Sequence, residues 1–183
     1  MLELVGLGSD RATAEVAAEA TGATVYVKHR DEGDARPYAT MIRAATDRIE
    51  AVREAADVAL FVCFARAIKD EPRPLPPDRV IGSFPLVAHP DLTHRQADDH
   101  WRDVHGPLAL ASHSAMCDYT QLSVVATLSG RALDGIALCA FENRDDLRTK
   151  FFNDEDARAA IEADVATFAD LRRSPRRVVL TQL

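Results

Sequence analysis

Residues 100–109 read HWRDVHGPLA and place an aromatic ring, a carboxylate and two imidazoles on one short segment. Before this run, Thr93 and Gln96 have the spacing of a capping box, which opens a helix. Pro107 lacks a backbone N–H and its ring collides with the preceding turn, so the Gly106-Pro107 pair predicts that the regular helix ends at His105. The stretch therefore predicts a helix that carries the most reactive side chains of the chain near its end.

The elements around this helix predict an α+β fold with antiparallel sheets. In chain order, the second half is predicted to contain a strand at 80–88, the helix just described, strands at 119–128 and 136–142, a helix after 154–156 and a strand at 177–183. Gly130 and Asp134-Gly135 mark the hairpin turn between the middle strands, and Pro175 is expected to stop the last helix. This order is the split βαβ pattern of ferredoxin-like folds. Pro85, inside a strand expected to be central, predicts a bulge.

The first half is predicted to repeat most of this order. Strands are expected at 2–6, 24–29 and 57–68, with helices at 12–20 and along the stripe of Ile42, Ala45, Ile49, Val52 and Ala56. Residues 1–70 thus predict a degenerate ferredoxin-like half that lacks one strand. Residues 71–78 are expected to be a proline-rich linker, and residues 79–183 a second domain. Two such sheets packed face to face, within one chain or between two chains, would enclose a cavity.

Composition limits the classes of partner. Of the 183 residues 47% are apolar, which is enough for a sizeable core. The sequence shows neither 18 consecutive apolar residues nor a signal-peptide pattern, so a cytoplasmic protein with no membrane partner is expected. The net charge of −7 opposes binding to a phosphate backbone, so nucleic acid is not expected either. Cys63, Cys117 and Cys139 lack a C-x-x-C spacing and are expected to be free buried thiols.

His105 is the leading candidate for chemistry, because it lies at the edge of the apolar face that contains Trp101 and Val104. Unpaired carbonyls at a helix end raise the pKa of an imidazole and burial lowers it, so His105 is expected to titrate near neutrality, as a general acid or base requires. The alternative is that His105 only hydrogen-bonds the chain at the helix break. His100 is expected to point away from His105 across the helix.

The strand at 119–127 supplies further candidates. Its alternation places Tyr119 and Gln121 on a face expected to line the interior of a barrel, and Leu122 and Val124 on the face expected to lie against helices. Hydroxyl and amide groups on such a face can orient a polar group of a mainly apolar ligand. The alternative is that this face is exposed to solvent.

No cofactor is predicted from the residues. His89, His94 and His113 have no carboxylate at a recognised ligand spacing, so a metal site is not expected. The run Gly6-x-Gly8-x-x-Arg11 follows a predicted strand but lacks the third glycine of a dinucleotide motif.

The stretch at 90–109, PDLTHRQADDHWRDVHGPLA, resembles the signature of the EthD family, small proteins of the dimeric α+β barrel superfamily. The likeness continues in order through Asp118-Tyr119-x-Gln121, Asp134-Gly135, the run FFND at 151–154 and the run RRVV at 176–179, and so covers about residues 79–183. It implies a ferredoxin-like barrel with His105 at its mouth, formed by a homodimer in family members with a single copy. The first 78 residues carry no motif of the family, but their element order fits a degenerate second copy, which makes an intramolecular barrel the alternative.

The resemblance implies the fold more closely than the reaction. Superfamily members include muconolactone isomerases, polyketide cyclases, cofactor-free monooxygenases and haem-degrading enzymes. Only this analogy points to haem, and no residue pattern in the chain supports it.

Two hypotheses of function remain open. The first is a cofactor-independent enzyme that acts on a small aromatic, alicyclic or polyketide-like compound as an isomerase, lyase or cyclase, or as a monooxygenase. In it His105 moves a proton, Tyr119 and Gln121 hold the polarised oxygen, and Trp101 with Phe84 forms an apolar wall. The second is a non-catalytic accessory protein that holds a hydrophobic small molecule in the barrel. A cavity of about 300 Å³ or more that reaches His105 would favour an enzyme or a binding protein.

Overall fold

Alternating apolar side chains along eight strands build a closed antiparallel barrel. The computed structural model describes residues 1–33, 35–70 and 79–183, so the predicted linker at 71–78 lies outside the described residues. The first half contains β1 (Leu2–Gly8), α1 (Arg11–Thr21), β2 (Thr24–Lys28), β3 (Thr40–Ala44), α2 (Ile49–Arg53) and β4 (Ala59–Asp70). The second half contains β5 (Val80–Leu86), α3 (His94–His100), a π-helical turn (Trp101–His105), α4 (Gly106–Ser112), β6 (Asp118–Gly130), β7 (Gly135–Phe141), α5 (Arg144–Thr149), α6 (Glu155–Phe168) and β8 (Val178–Gln182).

The barrel closes within one chain. Its strand order is β1-β3-β2-β8-β5-β7-β6-β4, so each half supplies four neighbouring strands, and the halves meet where β2 pairs with β8 and where β4 pairs with β6. The barrel therefore needs no second chain to complete its hydrogen-bonded ladder.

The first half has the strand that the sequence did not predict. Residues Thr40–Ala44 form β3, which pairs with both β1 and β2, and only Ile49–Arg53 of the predicted helical stripe is α-helical. Ile42, Val52 and Ala56 do pack in one cluster, but Ile42 reaches it from a strand. Pairing with two neighbours outweighs helical spacing here, so the expectation that residues 1–70 lack one strand is wrong.

The side chains of β6 point to the faces opposite to those predicted. The barrel interior is packed by strand side chains that include Leu122 and Val124. Tyr119 instead packs outside the barrel, in a cluster with Ala109 of α4 and Ile161 of α6. The alternation was read correctly, but hydrophobicity alone does not say which apolar face meets the helices and which meets the interior.

Pro85 needs no bulge. The β5–β7 pairing runs without interruption from Val80 to Leu86, whereas the β5–β8 pairing ends at Ser83, opposite Val178. Pro85 therefore lies just beyond the end of the β5–β8 ladder, where its missing N–H breaks no hydrogen bond. The last helix also ends earlier than expected, at Phe168, because Ala169 leaves the helix to form a bridge with Ala88.

Among the helices that the structure describes, none is long and apolar enough to cross a lipid bilayer.

Gly135 allows the indole of Trp101 to lie directly against the sheet. A Cβ atom at this position would lie 2.4 Å from Cζ3 of Trp101, a separation that real Cβ contacts do not show. Gly130, by contrast, has a φ of 78°, a backbone conformation that favours glycine at this position of the hairpin. The glycine at 135 is thus required by packing against the indole.

Gly135→Ala is expected to lower the free energy of unfolding by about 1–3 kcal/mol, the usual cost of overpacking a filled site. Urea denaturation followed by circular dichroism measures the change. Gly33→Ala is the matched control, because nothing lies within 4 Å of a Cβ at Gly33. Equal stabilities of the two variants would contradict the packing role of Gly135.

Candidate functional site

The helix that carries the histidines does not break at Gly106-Pro107 but widens. The backbone N–H of Gly106 donates to the carbonyl of Trp101, five residues earlier, and α4 then continues from Gly106 to Ser112. Pro107 has no N–H to donate to the carbonyl four residues earlier, and its ring would collide with the preceding α-helical turn, so the proline favours a wider π-helical turn. The predicted helix end at His105 is therefore wrong, because helical backbone continues on both sides of His105.

The side chain of Gln121 supports the widened turn. Its Nε2 donates to the carbonyl of Trp101 at 2.9 Å and to the hydroxyl of Tyr119 at 3.1 Å. The indole Nε1 of Trp101 also donates to the Tyr119 hydroxyl, at 3.0 Å. Strand β6 thus fixes the π-helical turn through two buried polar side chains. The Tyr119 oxygen accepts two hydrogen bonds, and among the described residues no acceptor binds its own hydrogen.

One carboxylate holds both histidines of the turn. Asp164 of α6 accepts from Nε2 of His100 at its Oδ1 and from Nδ1 of His105 at its Oδ2, each at 2.7 Å. Residues five apart are separated by about 140° around an α-helix, whereas the π-helical turn brings them to one side. The expectation that His100 points away from His105 is therefore wrong.

Asp164 determines which nitrogen of His105 is free to react. A carboxylate only accepts hydrogen bonds, so the neutral imidazole carries its hydrogen on Nδ1 and leaves a lone pair on Nε2. Burial lowers the pKa of His105 below 6.5, and the Asp164 carboxylate opposes this by favouring the imidazolium. At neutral pH His105 is thus an unprotonated base with an ion-pair partner ready for its protonated form.

His113, one helical segment further on, has a similar arrangement. Its Nδ1 donates to the carbonyl of Phe151, which leaves Nε2 as the lone-pair nitrogen. Burial lowers the pKa of His113, and the nearby His105 lowers it further. Two neutral imidazoles therefore lie next to each other on the same face of the helical layer.

Both histidines line a cavity of about 360 Å³. The cavity lies between the helices of the second half and the outer face of β5, β6 and β7, not in the barrel interior, which is filled by side chains such as Phe61 and Met41. Its walls are mainly apolar and include five aromatic rings: Phe84, Trp101, Tyr119, Phe151 and Phe168. The volume and the contact with His105 meet the criterion that favours an enzyme or a binding protein, whereas the expected location inside the barrel is wrong.

Four of the five predicted site residues line this cavity. They are Phe84, Trp101, His105 and Tyr119, whereas Gln121 lies behind the wall and acts on Tyr119 and the turn. Trp101 is held rigidly, because Arg66 lies 5.7 Å from its ring centroid on one side and Tyr119 accepts from its N–H. The indole is both a core residue, 2% exposed, and a wall of the cavity.

The thiol in the cavity wall is not a nucleophile at neutral pH. All three cysteines are free and buried, as predicted, and Cys139 lines the cavity. Burial raises the pKa of Cys139 to about 12, so its reactive thiolate form is not populated.

The remaining histidines have separate partners. His94 bonds Asp134 at 3.0 Å, His89 lies 3.8 Å from Asp91, and His113 bonds backbone, so these three do not form one site. In the part of the chain that the structure describes, no group of three or more His, Cys, Asp and Glu side chains has a metal-binding arrangement.

The glycines near the start of the chain serve packing. A Cβ at Gly8 would lie 2.2 Å from the carbonyl oxygen of Ala55, and one at Gly6 would lie 2.9 Å from the Cβ of Ala56. Gly6 and Gly8 are therefore needed because the segment after α2 lies very close to β1.

Asp164 is the important residue that sequence reasoning missed. The apolar stripe of α6 was read as Ala157, Ile161, Val165 and Phe168, and Asp164 lies at the same face, three residues after Ile161 and four before Phe168. A carboxylate within an apolar stripe needs a buried partner, and this mismatch was the available signal.

Comparison with known proteins supports the family resemblance. Residues 89–172 match the EthD domain. No curated protein matches the chain. Among solved structures, an anthrone oxidase-like protein is 13% identical, with a TM-score of 0.59 and coverage of 100% of this chain and 90% of that one. A putative monooxygenase from Fusobacterium nucleatum subsp. nucleatum is 9% identical, with a TM-score of 0.59 and coverage of 100% and 91%. At these identities the two structures share the fold.

Asp164→Asn is expected to lower the pKa of His105 further. The variant loses the negative charge that favours the imidazolium, while the burial that lowers the pKa stays. A pH titration of the His105 Cε1–H by NMR measures the shift. Asp91→Asn, which removes a carboxylate beside His89 on the surface, is the control and is expected to leave the His105 resonance unchanged. An unchanged or raised pKa in Asp164→Asn would contradict the assignment.

Proposed function

With an EthD domain over residues 89–172, we propose that this chain is a cofactor-independent enzyme that moves a proton of a small aromatic, alicyclic or polyketide-like compound. The observation that carries the proposal is the hydrogen bond between His105 and Asp164 at the wall of an apolar cavity. A buried base with a fixed tautomer and a carboxylate behind it is suited to general acid–base catalysis.

The chemistry follows from His105 and Tyr119, which line the cavity, and from Asp164, which binds Nδ1 of His105 from behind. Nε2 of His105 takes a proton from a carbon next to a carbonyl, and the electrons of the C–H bond move to the carbonyl oxygen to form an enolate. The Tyr119 hydroxyl, whose oxygen already accepts two hydrogen bonds, donates its hydrogen to that oxygen. The Asp164 carboxylate stabilises the imidazolium that forms. Return of the proton to a different carbon completes an isomerisation, and expulsion of a leaving group completes an elimination.

Gln121 takes a different role from the one expected. It does not line the cavity, and its amide donates to Tyr119 and to the π-helical turn. We therefore assign it to positioning, while Trp101 and Phe84 form the apolar wall against which a ring packs.

A monooxygenase is the second candidate, favoured by the names of the two similar structures. The same proton abstraction from an anthrone-like ring gives a carbanion that dioxygen can oxidise. The balanced reaction is anthrone plus O₂ giving anthraquinone plus water, with the substrate as the electron donor. The base at His105 would be common to both reactions, and the fate of the carbanion would differ.

The division of the chain also enters the proposal. We propose that residues 1–70 and 79–183 are two ferredoxin-like halves of a dimeric-type α+β barrel, the second of which is the EthD domain. A cytoplasmic location stays a prediction. So does a homodimer, which would form on the outer surface, because the barrel is already closed.

Anthrone is a suitable probe, because its C10 hydrogens are acidic and its three rings match an aromatic cavity. Under anaerobic conditions in D₂O, the protein is expected to speed exchange of these hydrogens, measured by NMR. His105→Asn keeps a donor toward Asp164 and removes the base, so the exchange rate is expected to fall by about 10²–10⁴-fold. His94→Asn makes the same change at an exposed histidine outside the cavity and is expected to retain the rate.

The outcomes separate the candidates. Oxygen uptake with anthraquinone formation in air would assign the monooxygenase reaction. Quenching of the single tryptophan, Trp101, by anthrone without exchange or oxidation would assign a binding protein and overturn catalysis. An unchanged exchange rate in a folded His105→Asn variant would overturn the role of His105.

A further inference from the structure

The opening of the cavity carries a positive charge that the proposed reaction does not use. The segment between α6 and β8 contains four arginines within residues 172–177, in a chain whose net charge is −7. Of these, Arg176 and Arg177 line the cavity and are exposed, so they lie where it opens to solvent. Arg172 and Arg173 are also exposed but do not line it.

Neither Arg176 nor Arg177 forms an ion pair with a carboxylate within residues 1–33, 35–70 and 79–183. Most other arginines of these ranges do have one: Arg66 binds Asp98 at 2.6 Å and Arg43 binds Glu3 at 2.7 Å. Arg131, Arg172 and Arg173 likewise form no ion pair among the described residues, so the feature that distinguishes Arg176 and Arg177 is their position at the edge of an apolar cavity. The electrostatic potential of such an opening attracts small anions.

The backbone that carries these arginines is fixed in place. The N–H of Asp170 donates to the carbonyl of Val87, and the N–H of Val87 donates to the hydroxyl of Ser174. Arg36 donates to the carbonyl of Arg177, and β8 begins at the next residue. Because the backbone is already fixed, binding an anion costs no further backbone entropy, and guanidinium groups match the two oxygens of a carboxylate.

We infer that the compound bound in the cavity is a carboxylic acid, whose ring lies among the aromatic walls and whose carboxylate is bound by Arg176 and Arg177. This inference rests on the proposed function and names its substrate class. The interior of the cavity favours a neutral ring, because His105 and His113 are uncharged bases surrounded by apolar groups. A negative group is therefore bound best at the opening, where two cations and water are both present.

The arrangement also fixes the orientation of the ligand. With the carboxylate at the opening, the opposite end of the ring system points inward toward His105. A compound without the carboxylate could enter in several orientations, whereas the acid presents one end to the base.

The test uses 4-nitrobenzoate and its neutral, nearly isosteric amide, 4-nitrobenzamide. Both quench tryptophan fluorescence, and the single tryptophan of the chain lines the cavity, so quenching reports binding there. The wild-type protein is expected to bind the acid about 10- to 100-fold more tightly than the amide, the range given by a charge-assisted hydrogen bond. In the double variant Arg176→Gln/Arg177→Gln this preference is expected to disappear, with the affinity for the amide unchanged.

The double variant Arg172→Gln/Arg173→Gln is the matched control. It removes the same two charges from the same segment but from residues that do not line the cavity, so the preference for the acid is expected to remain. Equal loss in both double variants would show general attraction to a basic segment and overturn the inference. Failure of both probes to quench the wild-type protein would also overturn it.

Equal affinity of the wild-type protein for acid and amide would overturn the carboxylate site alone. Such a result leaves proton transfer at His105 standing, because hydrogen exchange with the neutral anthrone does not depend on Arg176 or Arg177. The two proposals can thus fail separately.

Discussion

The missing N–H of Pro107 is the constraint on which the site depends. It prevents an α-helical hydrogen bond at the point where the helix crosses the sheet, and the chain responds with one π-helical turn rather than a break. That turn rotates His105 to the side of His100, and both then reach Asp164. The same turn exposes the Trp101 carbonyl to Gln121, so a local backbone conflict is resolved by contacts from two other elements.

The position of the cavity follows from side-chain size on the outer face of the sheet. Gly135, Ala137 and Ala109 are small where the helical layer passes over β7, and large strand residues such as Phe61 and Leu122 point inward to fill the barrel. The space that remains lies between helices and sheet and is bounded by rigidly held rings. Apolar walls with few polar groups are typical of small-molecule sites, and the lining of this cavity has that composition.

Much of the fold could be predicted from the sequence, because alternation and turn residues are local signals. Strands β5 to β8 and the capping box at Thr93 were found within a few residues of their observed bounds. The features that the sequence did not predict depend on long-range contacts. Strand β3 was hidden by a helical spacing, the orientation of β6 required knowledge of both layers, and the π-helical turn left no pattern beyond a proline. For the site, the histidine was recognisable and its carboxylate, 59 residues away, was not.

Closure of the barrel within one chain has a consequence for how such a protein can change. In a symmetric dimer each substitution occurs in both subunits. A change that alters the site in one subunit therefore also alters the framework that the other subunit supplies. In this chain the two halves have different sequences, so a substitution occurs in only one of them. Around β1 the first half has glycines at positions 6 and 8, against which Ala55 and Ala56 pack too closely to admit a guest molecule. The two halves of the barrel are therefore not equivalent, and mutations can change the pocket of the second half while the first half retains its framework.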